Sequence, residues 1–363
     1  MRCGFTTGSC AAAGAKAALL AYFEKNVNEV DVLSPQGDKI MVPIKNTIKT
    51  NDGGIATVIK DGGDDPDITN GIDIVVEVKV RINTTEINIK AGQGVGIVTK
   101  PGLSVAVGNP AINLGPQMMI KSAVSSVLGD NKGCDVIISI PEGEKLAKKT
   151  LNSVLGIKGG LSIIGTSGIV RPMSEEAFKN SLSPQISVAK ALGYQSIVLV
   201  PGKIGQEIAI KQYGLPENAV IQTSNFIGYM LECSVHEEIK NVILFGHLGK
   251  LVKVAAGVFH THNRIADARM ETIAAYIGAM GAPQIAIKEI LNCTTTEAAM
   301  PIIEHYQMCD IYNLLANRAS ERATRYVFND LVIGTVIVTL KGNLLGMDNA
   351  AKSIGGSIGW NIK

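Results

Sequence analysis

Four short, almost uninterrupted apolar runs in the second half of the chain, "LSIIG", "SIVLVPG", "AVIQ" and "NVILFG", restrict the fold more than any other feature. A strand wet on one face alternates apolar and polar residues, whereas a strand covered on both faces does not. Each run is trailed by a helical segment, and apolar strands spaced by helices predict a parallel, doubly wound sheet. A mainly helical stretch from about 262 to 328 follows, then "LVIGTVIVTL" as a final strand and a glycine-rich tail.

The first half has another rhythm. Residues 8 to 24 predict a helix with Ala12, Ala15, Leu19 and Phe23 on one face. "NEVDVL", "KIMVPI", "GIATVIK" and "IDIVVEVKVRI" predict strands, divided by Pro-Gln-Gly and an acidic turn. A loop-rich segment, a helix "MMIKSAVSSVLGD" ending near Gly129 and a buried strand "CDVIISIP" complete this part. The expectation is an α+β domain at 1–150 and a Rossmann-like α/β domain at 151–363.

The 363 residues are 46% apolar with seven Phe and one Trp, so the core is expected to be aliphatic and alanine-rich. Net charge is +2 with no concentrated basic stripe, which argues against nucleic acid as a partner. Six cysteines without a C-x-x-C pair exclude a zinc ribbon or disulfide framework and predict reduced thiols. No run is long enough to span a membrane. The opening "RCGFTTGSCAAAGAKAALL" lacks a signal-peptide pattern, since Lys16 and three glycines interrupt it. A cytoplasmic protein is the expectation, with assembly into a homo-oligomer left open.

Several motifs carry candidate chemistry. In "SIIGTSGIVRPMSEE" a strand ends in Gly165-Thr166-Ser167-Gly168 ahead of a helix capped by Ser174, where α/β sheets bind anions. A plain tight turn is the alternative. "GQGVG", Gly92 to Gly96, reads as a loop or bulge, and "GHLGKL" is not a P-loop because Leu251 follows Lys250. His260 and His262 form an H-x-H pair, with Asp267 and Glu271 on one helical face, a pattern open to metal, capping or ligand roles. Asp61, Asp64, Asp65 and Asp67 offer a general base, a cation site or a simple turn. Thr6, Thr7, Gly8 and Ser9 precede an alanine-rich helix, either as a cap with Thr7 at its head or as an anion site.

Together, "RCGFTTGSCAAA", "VIKDGGDDPDITNG", "GVGIVTKPGL", "GNPAIN", "GTSGIVRPMSEE", "SNFIGYML", "GHLGKLVKVAAG" and "THNRIADARME" resemble the cobalt-precorrin-5B C-methyltransferases of anaerobic cobalamin synthesis. The chain departs from that pattern where Leu114-Gly115-Pro116-Gln117 replaces the usual Pro-Val-Pro-Arg. The resemblance implies transfer of a methyl group from S-adenosyl-L-methionine to carbon 1 of cobalt-precorrin-5B. It implies no protein-bound metal, the cobalt arriving with the substrate. A polyanionic macrocycle requires cationic and helix-terminal contacts. Thr6, Thr7, Gly8, Ser9, Lys100, Arg171, His247 and Lys250 are the expected substrate contacts, with Lys253 beside them. Gly165, Thr166, Ser167 and Gly168 are expected to hold the donor, and Asp64 or Asp65 to orient a ring nitrogen or accept a proton. The competing expectations are a metal-dependent hydrolase centred on His260 and His262 and a non-catalytic tetrapyrrole carrier.

Overall fold

The computed structural model describes residues 1–129 and 131–360; Asp130 and 361–363, the end of the expected second domain, lie outside the described residues. Two compact units divide the chain between Glu175 and Glu176.

The first unit runs β1 (Gly4–Phe5), α1 (Thr7–Tyr22), β2 (Glu29–Leu33), β3 (Lys39–Pro43), β4 (Asn46–Lys49), β5 (Gly53–Ile59), β6 (Asp73–Ile82), β7 (Ile87–Ala91), β8 (Ile97–Val98), α2 (Leu114–Ser125), β9 (Lys132–Ser139), α3 (Gly143–Ala147), β10 (Ile157–Lys158) and β11 (Ile169–Val170). Its main sheet has the order β4-β5-β6-β9-β7, antiparallel except for the β7–β9 pair. β6 alternates as a half-covered strand should, burying Ile74, Val76 and Val78. α1 packs on this sheet and is buried on nearly every side, from Thr7 through Ala15 and again at Ala17–Leu19. A helix apolar all round belongs inside a fold. Its small residues let backbones meet: a Cβ on Gly14 would lie 2.7 Å from Val76 Cγ2, and one on Gly54 2.1 Å from the Ala18 carbonyl. The helix therefore has no single apolar face, unlike the reading from Ala12, Ala15, Leu19 and Phe23.

The expected strand "LSIIG" is a correction. Leu161 and Ile163 bridge to Val95 and Ile112 in the first unit, and β10 pairs with β8. Residues 151–175 consequently belong to the first unit, and the division falls beyond the expected residue 150. A short apolar run has the composition of a buried strand whichever core receives it, so periodicity could not assign it.

The second unit runs α4 (Glu175–Leu182), which begins at the boundary, α5 (Pro184–Ala191), β12 (Ser196–Val200), α6 (Lys203–Lys211), β13 (Val220–Gln222), α7 (Ile227–His236), β14 (Asn241–His247), α8 (Leu248–Ala255), α9 (Arg269–Ala279), α10 (Gln284–Leu291), α11 (Thr296–His305), α12 (Ile311–Tyr326), β15 (Val332–Val338), β16 (Leu344–Met347) and α13 (Asn349–Ser357). Its sheet has the order β13-β12-β14-β15-β16, with the first four strands parallel and β16 antiparallel. All of β12 and Val242–Gly246 of β14 are buried, as expected for strands with both faces covered. Ile208 and Ala209 of α6 and Ala351 and Ile354 of α13 pack on Val200, Phe245 and Val336. The doubly wound sheet thus exists as read, but its fourth parallel strand is β15 rather than "LSIIG". β12 connects through α6 to β13 on one side, whereas β14 connects through α8 to α12 to β15 on the other. The connections diverge between β12 and β14, which makes this the topological switch point. Among the described residues no helix is long and apolar enough to cross a membrane.

Candidate active site

The N-terminus of α1 is closed by the protein itself. Thr6, not Thr7, is the N-cap: its hydroxyl accepts from the Ser9 amide at 3.2 Å. The Gly8 amide donates to the Ile164 carbonyl at 3.0 Å, and the Thr6 amide to Gly168 at 3.1 Å. The Thr7 hydroxyl donates to the Ile164 carbonyl and accepts from the Ile164 amide, while the Ser9 hydroxyl donates to the Gly168 carbonyl. Thr6, Thr7, Gly8 and Ser9 are buried and engaged with residues 164–168 rather than presenting a row of open donors. The glycines serve the same closure. A Cβ on Gly165 (φ +147°) would stand 2.3 Å from Thr6 Oγ1, and one on Gly168 (φ +77°) 3.0 Å from Ser9 Oγ. Gly165-Thr166-Ser167-Gly168 therefore lies against α1 and not, as expected, at a strand end of the parallel sheet. Thr166 and Ser167 are exposed; the Thr166 carbonyl accepts from Gln36 and the Ser167 hydroxyl donates to Ile169.

The acidic turn sits beside this corner. Arg2 forks onto Asp61, which holds that carboxyl below its ordinary range, chiefly by the hydrogen bond. Asp67 is bound by the fully buried Lys60 and by Thr69; burial opposes ionisation, but these bonds outweigh it and its pKa is lowered. Asp64 accepts from the Arg2 amide and Asp65 from the Met173 amide at 2.8 Å, so both carboxylates stand at the edge of the corner. Arg171 is exposed on the same loop. Lys100 donates to the Val154 carbonyl at 3.0 Å, and its stem lies where a Gly156 side chain would be.

In the second unit the turns that follow β12, β13 and β14 hold polar groups. Gly202 has φ +127°, and a Cβ on Gly246 would meet the Pro201 ring at 2.9 Å, so two strand ends abut with little between them. His247 occupies the N-cap position of α8 without a side-chain capping bond, and its Nδ1 is buried and unpartnered. Burial, then nearby Lys250 and Arg269 against the opposing Glu297, lowers its pKa. Lys250 donates to Asn225 Oδ1 at 2.6 Å and to the Thr261 carbonyl at 3.2 Å. The fully buried Lys253 donates to Thr261, Asn263 and Ala266 oxygens.

The H-x-H pair does not form a metal centre with its neighbours. His260 packs on Phe226 at 4.9 Å, His262 Nδ1 accepts from the Arg264 amide, and Asp267 is forked onto Arg269. Among the described residues no three His, Cys, Asp or Glu side chains are grouped to hold a metal ion.

The family model CbiD matches residues 1–172, and the model for the CbiD C-terminal domain matches 260–349. A cobalt-precorrin-5B C(1)-methyltransferase of Moorella thermoacetica is 48% identical over 363 residues, covering 99% of each chain. One of Methanocaldococcus jannaschii is 45% identical over 345 residues, covering 94% of this chain and 95% of that one. The chain belongs to the CbiD family. A crystal structure of a cobalamin biosynthesis protein (cbiD) from Archaeoglobus fulgidus aligns at 29% identity over 73% of this chain and 83% of that chain, with a TM-score of 0.41, too low to add to the fold described above.

Within this CbiD chain, reading the sequence missed Asn225 and Thr261, which hold Lys250 at the α8 turn. The available signal was positional: "QTSN" directly follows the run "AVIQ", and strand carboxyl ends are where doubly wound sheets bind ligands.

Proposed function

We propose that the chain transfers the methyl group of S-adenosyl-L-methionine to carbon 1 of cobalt-precorrin-5B, giving cobalt-precorrin-6A. The observation that carries this reading is the 48% identity to the Moorella thermoacetica enzyme along 99% of both chains. Methylation requires a donor, and S-adenosyl-L-methionine is the donor in this reading; the cobalt belongs to the substrate.

The bond between methyl carbon and sulfur breaks with both electrons left on sulfur, while a bond from ring carbon 1 forms. S-adenosyl-L-homocysteine leaves, and loss of a proton from the ring system balances the charge. No covalent enzyme intermediate is needed. Alignment of carbon, methyl and sulfur supplies the acceleration, up to about 7–11 kcal/mol in favourable intramolecular cases. In this reading the second unit holds the donor at the carboxyl ends of β12 and β14. Arg171 is assigned to a ring carboxylate, and Asp64 or Asp65 to orienting a ring nitrogen or taking the proton. Thr6 to Ser9 and Gly165 to Gly168 are assigned to the framework instead.

Incubation with cobalt-precorrin-5B and donor carrying a 13C-labelled methyl group tests the proposal. Label at carbon 1 by NMR, with one S-adenosyl-L-homocysteine per methyl transferred, is expected. Label at any other carbon, or none, overturns it.

A further inference from the structure

We infer that Lys250, at the turn from β14 into α8, binds a carboxylate, with the buried, uncompensated charge of Lys253 behind it adding to the attraction. The inference rests on the methyl-transfer reading, which brings two carriers of carboxylate: the amino-acid end of the donor and the acid side chains of the ring.

The argument begins with unmatched charge. Lys253 is 0% exposed, and its ammonium contacts only neutral oxygens: Thr261 at 3.3 Å, Asn263 Oδ1 at 2.7 Å and Ala266 at 2.8 Å. Half-buried Lys250 likewise contacts only Asn225 Oδ1 and the Thr261 carbonyl. Among the described residues neither ammonium has a carboxylate within ion-pair distance. The nearby acids are otherwise engaged. Both Asp267 oxygens accept from Arg269 at 2.7 Å, and exposed Glu297 accepts from the Thr296 hydroxyl at 3.1 Å. Burying cations without counter-charge is costly, and an arriving anion offsets that cost.

The position adds to the charge. The lysines stand on the helix that leaves β14 at the switch point, where ligands of such sheets bind. His247 leaves the first turn of α8 without a side-chain cap, in contrast to α1, which Thr6 caps. The unpartnered Nδ1 of His247 faces the same crowded turn, beside Gly249, whose Cβ would lie 3.3 Å from it. Burial and the like charges of Lys253 and Arg269 lower the Lys250 pKa, which an anion would reverse.

Titration calorimetry with S-adenosyl-L-homocysteine and with 5′-methylthioadenosine, which lacks the amino-acid carboxylate, tests the site on wild type, Lys250→Met and Lys250→Arg. A charge-assisted hydrogen bond contributes enough that Lys250→Met should weaken its ligand about tenfold or more. Loss for S-adenosyl-L-homocysteine with methylthioadenosine unchanged, and recovery in Lys250→Arg, supports the site and assigns it to the donor. Both nucleosides unchanged with a matching rise in KM for the macrocycle supports it and assigns it to the ring. No change in any of the three, or equal loss for both nucleosides, overturns it. A wild-type chain that neither binds S-adenosyl-L-homocysteine nor transfers methyl overturns the reaction reading and the site together. Normal transfer with an indifferent Lys250→Met overturns the site alone.

Discussion

A Cβ placed on Gly165 would lie 2.3 Å from the Thr6 hydroxyl oxygen, closer than any side chain is tolerated. The loop that supplies Gly165 thus closes onto the cap of α1, and the helix start is a structural joint. Thr6→Val removes the cap and should cost about 1 kcal/mol of unfolding free energy. Gly165→Ala meets both the collision and a left-handed φ, and should cost about 1–3 kcal/mol from overpacking alone. Urea unfolding measures both, and macrocycle affinity of folded Thr6→Val is expected to match wild type. A Thr6→Val chain of full stability with lost affinity would contradict the joint.

Gly14→Ala sets two effects against each other. Alanine in place of glycine inside a helix gains about 1 kcal/mol in an open setting. Here the new methyl would stand 2.7 Å from Val76 Cγ2, on a stiff side chain in the core. Overpacking of about 1–3 kcal/mol outweighs the gain, so the variant should be less stable. Adding Val76→Ala should recover part of the loss. Strict additivity in a double-mutant cycle would show that the contact is not the cause.

The acid limb of stability should carry a contribution from Asp267. Its fork onto Arg269 lowers its pKa from 3.8 to about 2. A folded pKa below the unfolded one gives stability that is complete above pH 3.8 and lost as pH falls through about 2. The pair is partly exposed, so the effect is small and screened by salt. Asp267→Asn should flatten the stability profile in that window; an unchanged slope between urea midpoints at low and high pH refutes this.

His247 should stay neutral to lower pH than an ordinary imidazole, since burial lowers its pKa from 6.5. The unfolded chain then takes up the proton first, so stability is complete above pH 6.5 and declines as pH falls toward the folded pKa. NMR titration of the imidazole should give a midpoint below 6.5, and His247→Gln should remove that part of the pH dependence. A midpoint at or above the ordinary value contradicts the burial argument.

Much of the candidate site escaped sequence reading for one reason. Ser and Thr before an alanine-rich helix fit a cap and an anion site equally, and a glycine run fits a ligand cradle and a backbone crossing equally. What separates them is a partner far along the chain: Thr7 meets Ile164, 157 positions away. Lys250 and His247 were named from sequence, but Asn225 and Thr261, which hold Lys250, come from other loops.

The sequence by itself determined the doubly wound sheet, the α+β character of the first half and the family, because uncovered alternation, buried apolar runs and local motifs are properties of neighbouring residues. Tertiary structure alone decided that residues 151–175 join the first unit, that the start of α1 is closed and that the turn into α8 gathers cations without counter-charge. Those outcomes depend on which distant backbone donates or accepts at each buried polar group, because burial drives most such groups to find a partner and makes an unpartnered one, such as His247 Nδ1, stand out.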